Sequence, residues 1–387
     1  MADDLLAGLD GSPSAVTFLV GANGSGKSLR LGSLASELVN SGRRVIAISN
    51  TTFDRFPRFR RNGYARLSPS IGKRYAIDVF KRALLNSESE TIRNASLIAK
   101  TLQYTGFTPV IGMHVRLKKN ADHENLNKTL SGQISDLEIS RIFRALDIYK
   151  NYNYGNLRES VWIDLYGSQI GPDRREIFAL LQHESRLKQL GIVERISITI
   201  ERDRFNYDLG EASSGELSLL CSHAYIASQI QEGDVLLIDE PENSLHPRWQ
   251  REYCRRLLDQ FYYYAPQLII ATHSPHIVQG AQSSEVDVRL VKLPANEDAP
   301  EALTRSIEGT LFEAFGVLSP ASHYLSEKVT HILNEMAQKR SDLSETQGEL
   351  LALQNLSDDE DQRAFLGRAI ELAEQVQVLS SGTEDLA

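Results

Sequence analysis

Gly21-Ala22-Asn23-Gly24-Ser25-Gly26-Lys27-Ser28 follows directly on the apolar run Val16-Thr17-Phe18-Leu19-Val20. The pattern is G-x-x-x-x-G-K-S after a buried strand and before a helix, which is the setting a phosphate loop needs. Glycines let the backbone curl until successive N–H groups point at phosphate oxygens, and the following helix adds its positive end. Gly21, Asn23, Gly24, Ser25 and Gly26 are therefore read as the cradle. Lys27 is read as the cation at the β/γ-phosphates, and Ser28 as a hydroxyl ligand of Mg²⁺. The strand, loop and helix together set aside the alternative of a chance glycine turn. The helix is expected over about Lys27 to Asn40, with Gly42 as its C-terminal stop.

A second group of motifs lies some two hundred residues further on. Val235-Leu236-Leu237-Ile238-Asp239-Glu240 is an apolar strand ending in two carboxylates. In an open α/β sheet, ligands bind beyond the strand tips, where such acids would stand. Asp239 is read as a direct or water-mediated Mg²⁺ ligand and Glu240 as the general base that polarises the attacking water. The competing reading makes them caps of the turn that Pro241 begins. Ala212-Ser213-Ser214-Gly215-Glu216 precedes a helical stretch from Leu217 to Gln231. Leu268-Ile269-Ile270-Ala271-Thr272-His273-Ser274 is a further apolar strand with a histidine just past its end. Each of these two segments alone would more often be structural than catalytic.

In this order the set resembles the ABC-type ATPases. Ser213-Ser214-Gly215-Glu216 looks like their signature motif, Asn243-Ser244-Leu245-His246-Pro247 like the D-loop, and His273 like the switch histidine. The form Glu-Pro-Glu-Asn-Ser-Leu-His-Pro over 240–247 is similar to the soluble branch. That branch includes the SMC and RecF repair ATPases, the OLD-family ATPases and many small bacterial defence ATPases. The resemblance covers residues 15 to 50 and about 196 to 290. It implies an α/β fold, a P-loop NTPase core of ABC type with a largely parallel sheet. It also implies that Ser213, Ser214, Gly215 and Glu216 meet the nucleotide of a second copy, and that His273 contacts the γ-phosphate or the attacking water. The chain departs from the family in two places. No aromatic residue comes before Phe18, where transporter-type domains stack adenine, and no Q-loop glutamine can be placed.

Outside these motifs the chain suggests three parts: a core over 1–50 and 196–317, an inserted mixed α/β lobe over 51–195, and a C-terminal helical region over 318–387. Residues 1–14 read as a lead-in and Asn50 to Ser70 as a loop. Ile77 to Thr105, Leu137 to Asp147 and Asp173 to Leu190 read as helical. Thr108 to Arg116 and Ser160 to Tyr166 read as strands. Arg195 to Arg202 alternates as a strand that returns to the core. Leu293 to Pro300 reads as a polar loop. Two helices forming a hairpin, broken near Asn355 to Asp359, are expected at the C-terminus.

Composition fits a reduced, cytoplasmic enzyme. The 387 residues are 41% hydrophobic and 24% charged, with no apolar run of membrane-spanning length and no signal peptide. Cys221 and Cys254 lack metal-ligand spacing, and no Cys/His cluster suggests zinc. A net charge of −9 argues against coating nucleic acid along the whole surface. It leaves room for a local patch. Arg55, Arg58, Arg60, Arg61, Arg66, Lys73, Arg74, Lys81 and Arg82 crowd together, with Phe53, Phe56, Phe59 and Tyr64 between them. The favoured reading is a solvated loop with anchoring aromatics and arginines paired to acids. The alternative is a phosphate-backbone or partner-docking surface.

The resulting expectation is Mg²⁺-dependent ATP hydrolysis, with ATP and Mg²⁺ as the bound groups. ATP-driven formation of a homodimer or higher homo-oligomer would switch a separate effector, expected to be a nuclease in phage defence, without a membrane. Two rivals stand beside it: a DNA-clamping repair module and the ATP-binding subunit of a transporter.

Overall fold

The computed structural model describes residues 15–21, 23–51, 53–68, 72–89, 92–118, 130, 134–152, 160–167, 174–283, 287–293, 311, 323–338, 340–357 and 360–382. The lead-in over 1–14 and the loop over 294–300 lie outside them. The chain divides into two units. The first comprises Met1–Arg30, Pro247–Arg255 and Ile269–Ala387; the second comprises Leu31–His246 and Arg256–Leu268.

In the first unit, β1 (Val16–Val20) is buried at every position. Strands covered on both faces read as unbroken apolar runs, and this one does. It pairs in parallel with β10 (Val288–Lys292), Val16 opposite Val288 and Val20 opposite Lys292. On its other side stands β9 (Gln267–Ala271). Beyond β9 the Thr272 N–H donates to the Leu19 carbonyl at 3.2 Å, so the two strands end side by side. Within β9 the chain passes out of the second unit, since Gln267 and Leu268 belong to it. The phosphate loop leads from β1 into α1 (Lys27–Asn40). Helices α8 (Pro247–Phe261) and α9 (Pro275–Gln282) approach so closely that a Cβ on Gly280 would meet the Arg251 carbonyl oxygen at 1.9 Å.

The C-terminal part of this unit corrects an expectation. Among the described residues three helices stand there rather than a hairpin of two: α10 (His323–Ala337), α11 (Leu343–Leu356) and α12 (Glu360–Gly382). They share one apolar cluster that includes Leu325, Ile332, Leu350, Leu353, Leu366 and Ala373. The overlooked break is a helix start. The Asp342 carboxylate accepts the Glu345 N–H at 2.7 Å and caps α11.

In the second unit, β2 (Val45–Ser49) and β8 (Val235–Asp239) are fully buried and run parallel, with Ser49 opposite Asp239. A third parallel strand, β3 (Tyr64–Leu67), pairs with β2 inside the stretch expected as loop. Only four residues long and half-exposed, it offers little apolar run to read. A separate antiparallel sheet has the order β5-β4-β6-β7, from β4 (Val110–Leu117), β5 (Val161–Asp164), β6 (Val193–Arg202) and β7 (Phe205–Asp208). β6, expected to return to the core, pairs with β4 and β7. Its hairpin turns on Asp203 and Arg204, both at positive φ, which matches the right-handed twist of the strands.

The helical stretch over 77–105 resolves into α2 (Gly72–Ser89) and α3 (Ile92–Tyr104), and both pack on α7 (Ser214–Gln229). This unit also holds α4 (Asp136–Tyr152), α5 (Arg174–Gln182) and α6 (Glu184–Gln189). α7 buries residues on every side, as a helix that is apolar all round must. Its His223 is fully buried and bonds Gln260 at 2.7 Å; Gln260 in turn donates to Leu97 O and Thr101 Oγ1. Burial lowers the His223 pKa to about 4, so it serves as a neutral structural group. Cys221 and Cys254 are free and buried. Burial pushes the Cys221 thiol up to about 12, which makes it inert.

Candidate functional site

The phosphate loop forms as its sequence demands. Gly26 sits at φ 93, a conformation that costs a side-chain-bearing residue heavily. At Gly21 an added Cβ would lie 2.2 Å from the Leu293 carbonyl oxygen and 2.8 Å from Ser25 Oγ. The Ser25 hydroxyl is buried with no hydrogen-bond partner among the described residues, inside the loop. Lys27 is 6% exposed, and its ammonium donates to the Gly21 carbonyl at 2.7 Å. Asn23 and Gly24 are exposed at the tip, and Ser28 is half-buried in the first turn of α1. Glycines that admit close approach, a buried hydroxyl and a buried cation at the centre of the loop all fit a phosphate group.

His273 lies at the same ends of the strands of this unit. It is exposed, two residues beyond the end of β9, the strand beside β1. Its neighbours fix the backbone there. The Ser274 N–H donates to Thr272 Oγ1 at 2.9 Å, and the Ser274 hydroxyl donates to Gln250 at 2.6 Å.

In the second unit Asp239 ends β8, 1% exposed, and its carbonyl accepts the Asn50 N–H at 3.0 Å. Glu240 follows with φ 49. A non-glycine residue in that region costs roughly 1–2 kcal/mol and persists only where its surroundings hold it. Asn243 does so: its backbone N–H donates to the Glu240 carbonyl at 3.3 Å and its side chain to Glu240 Oε2 at 3.0 Å. The same amide reaches Asn50 O at 3.4 Å. The strained turn therefore aims the Glu240 carboxylate and locks it to the start of the D-loop-like segment.

The serine-rich segment is a helix N-terminus. Ser213 caps α7 and accepts the Glu216 N–H at 3.3 Å, while Glu216 accepts the Ser213 N–H at 2.8 Å. The other Glu216 oxygen is held by Arg202, whose guanidinium also donates to Thr105 O at 2.8 Å and covers Phe107 at 3.9 Å. Burial works to raise the Glu216 pKa, but the Arg202 and Ser213 hydrogen bonds outweigh it and hold it below the ordinary carboxylate value. Ser213 and Ser214 are exposed, and Gly215 is buried behind them. Ser214 lines a 290 Å³ cavity with Ser49, Asn50, Leu217, Asn243 and Ser244. The fold thus gathers the signature-like and D-loop-like segments around one cavity. Asn50 was missed in the sequence; its only signal is its place just past the apolar strand Val45–Ser49.

Asp239 and Glu240 do not make a metal cage. Among the described residues no group of three or more His, Cys, Asp or Glu side chains could hold a metal ion.

A protein-family profile described as "AAA domain, putative AbiEii toxin, Type IV TA system" matches residues 80–279. The chain belongs to this AAA family. The matched segment contains the α7 N-terminus, Asp239, Glu240 and His273, and the phosphate loop precedes it. No curated protein matches the chain. Among solved structures, VirB4 of Thermoanaerobacter pseudethanolicus is similar at 14% identity, over 72% of this chain and 76% of that chain, with a TM-score of 0.26. The α/β assignment rests on the parallel strands of the chain itself.

Proposed function

We propose that the chain hydrolyses ATP with Mg²⁺, and that ATP-driven pairing of two copies switches a separate effector. The observation that carries this reading is Lys27, buried in the glycine loop with its ammonium on the Gly21 carbonyl. When bound, Mg²⁺ neutralises phosphate charge. Ser28 and Asp239 are the residues assigned to hold it, and Lys27 and the loop N–H groups bind the phosphates. Glu240, aimed by Asn243, takes the proton of the attacking water. His273, exposed beyond β9, orients the γ-phosphate or that water. The exposed Ser213 and Ser214, with the Gly215 amide and the positive end of α7, meet the nucleotide of the second copy.

The branch assignment, soluble SMC/RecF/OLD-like, rests on the Glu240 to Pro247 sequence. The toxin and Type IV TA wording of the family description supports a defence setting, with a nuclease as the proposed effector. A cytoplasmic location is part of the proposal; no helix among the described residues is long and apolar enough to cross a membrane. The DNA-clamping repair module remains the second reading, favoured by the arginine cavity described below. Phosphate release by the purified chain, with and without chelator, tests the activity. Steady Mg²⁺-dependent turnover is expected, and its absence at saturating ATP in every assembly state would overturn the assignment.

A further inference from the structure

The basic run noted in the sequence divides into two kinds of residue. Lys81 pairs with Glu184 at 2.9 Å and donates to Ile196 O at 2.7 Å, and Phe56 is buried, as a solvated, anchored loop requires. The segment from Pro57 to Arg66 behaves differently. With Tyr225 and Gln229 of α7 it encloses an open cavity of 540 Å³. Arg58, Arg60, Arg61 and Arg66 line it, and among the described residues no acid does.

Arg66 is pinned from outside the cavity by Asp54, and its Nε is buried with no partner among the described residues. Arg61 donates to Asn40 at 2.6 Å and lies 5.4 Å from the centre of the Phe59 ring. That ring packs on Tyr64 at 4.8 Å, and the Tyr64 hydroxyl donates to Pro57 O at 3.0 Å, which closes the segment on itself. Arg58 and Arg60 are exposed, and among the described residues neither has an ion pair or a hydrogen bond. In a chain with 51 acids and 42 bases, a cavity with four arginines and no acid on its wall runs against composition. Solvated arginines in such a chain would be expected to find acids.

We propose that this cavity binds single-stranded nucleic acid. Arg58 and Arg60 take phosphates, and the Phe59–Tyr64 pair offers an aromatic surface to an unstacked base. Positive charge interleaved with aromatic faces is how proteins hold single strands without reading sequence. The volume lies in the range of ordinary small-ligand sites and admits a nucleotide unit. A duplex keeps its bases stacked inside and would leave the rings unused. A phosphorylated peptide would use the arginines and likewise leave the rings idle.

The test uses the full chain without ATP and a fluorescein-labelled 12-nucleotide strand of thymidine or uridine, followed by anisotropy at several salt concentrations. Binding stronger than to a duplex of equal length is expected. Arg58→Glu with Arg60→Glu should weaken it at least tenfold. The double variant should also flatten the log–log salt dependence by about 1.4, from two lost phosphate contacts at about 0.7 each. Phe59→Ala should weaken binding several-fold, with little change in that slope. The melting midpoint of each variant reports that the fold is intact. Failure of the parent chain to bind, or unchanged binding by an intact double variant, would overturn the proposal. So would displacement of the strand by an equal concentration of mononucleotide or phosphorylated peptide.

Discussion

The Lys27 ammonium lies 2.7 Å from the carbonyl oxygen of Gly21, six residues earlier in the chain. The loop has thus placed its cation at its own centre, within reach of its own backbone. A phosphate oxygen offers the same ammonium a stronger, charge-assisted bond than that carbonyl does.

Lys27→Ala should therefore lose ATP affinity by more than tenfold, over about 1.4 kcal/mol. Isothermal titration measures it directly. Unchanged affinity in a folded variant would show that the phosphates lie elsewhere.

Asp239 and Glu240 should separate by role. Glu240→Gln keeps the Asn243 contact within reach but cannot accept a proton. ATP binding should survive, and turnover should fall by roughly a hundredfold or more, the range of a lost general base. Asp239→Asn should weaken Mg²⁺-dependent binding as well. Parent-level turnover in Glu240→Gln would hand the base to another residue.

At Glu216 the chemistry is structural and depends on pH. Its folded-state pKa lies below the ordinary 4.5, through the Arg202 and Ser213 bonds that overcome burial. The carboxylate thus contributes stability above about pH 4.5, and the contribution is lost as pH falls through the folded value. Urea midpoints of the parent and Glu216→Gln should differ most at neutral pH and converge below 4.5. A gap that does not change with pH would mean that the charge of Glu216 contributes nothing.

His273 is exposed two residues beyond β9, beside Ser274, whose hydrogen bonds to Thr272 and Gln250 fix the backbone there. His273→Ala should keep the parent melting midpoint and near-parent ATP binding while hydrolysis slows. A variant that melts early would mark the imidazole as a structural group, and a parent rate would remove it from the reaction.

What the sequence made legible follows from how local each signal is. The buried strands Val16–Val20, Val45–Ser49 and Val235–Asp239 are unbroken apolar runs, and the glycine loop between strand and helix fits one chemistry. Tyr64–Leu67 was missed because a short, half-exposed edge strand carries no such run. The start of α11 was written in Asp342 and Glu345 as a capping pair within the polar stretch Gln338 to Asp342, a local signal that the two-helix reading passed over. The hold of Asn243 on Glu240 was out of reach, because it depends on a positive φ at a residue that is not glycine. Which arginines of the basic run pair with acids was equally out of reach. Pairing is a property of three-dimensional neighbours: Arg66 meets Asp54 and Lys81 meets Glu184, while Arg58 and Arg60 have no acid partner among the described residues.

Assembly is the remaining question, and it follows from counting. The chain has one phosphate loop and one Ser-Ser-Gly-Glu segment, and Ser213 and Ser214 face solvent at the positive end of the sixteen-residue helix α7. In the arrangement that these motifs resemble, that helix end meets the γ-phosphate held by another copy. Two chains would then pair about a two-fold axis and enclose two ATP molecules. ATP should favour the dimer over ADP, because the extra phosphate lies in the interface. Glu240→Gln, holding ATP unhydrolysed, should show dimer mass by light scattering at micromolar concentration with Mg²⁺. A monomer under those conditions would count heavily against pairing. Ser214→Arg should be inactive, since a bulky cation at the helix end opposes both closure and the dipole. Mixing inactive Lys27→Ala chains with inactive Ser214→Arg chains gives the sharpest result. Half of the dimers are then mixed, and each mixed dimer has one site with an intact Lys27 facing an intact Ser214. About a quarter of parental activity should return if the two sites work independently, and less if they must fire together. If no activity returns although mixed dimers form, each copy does not complete the other's site in this way.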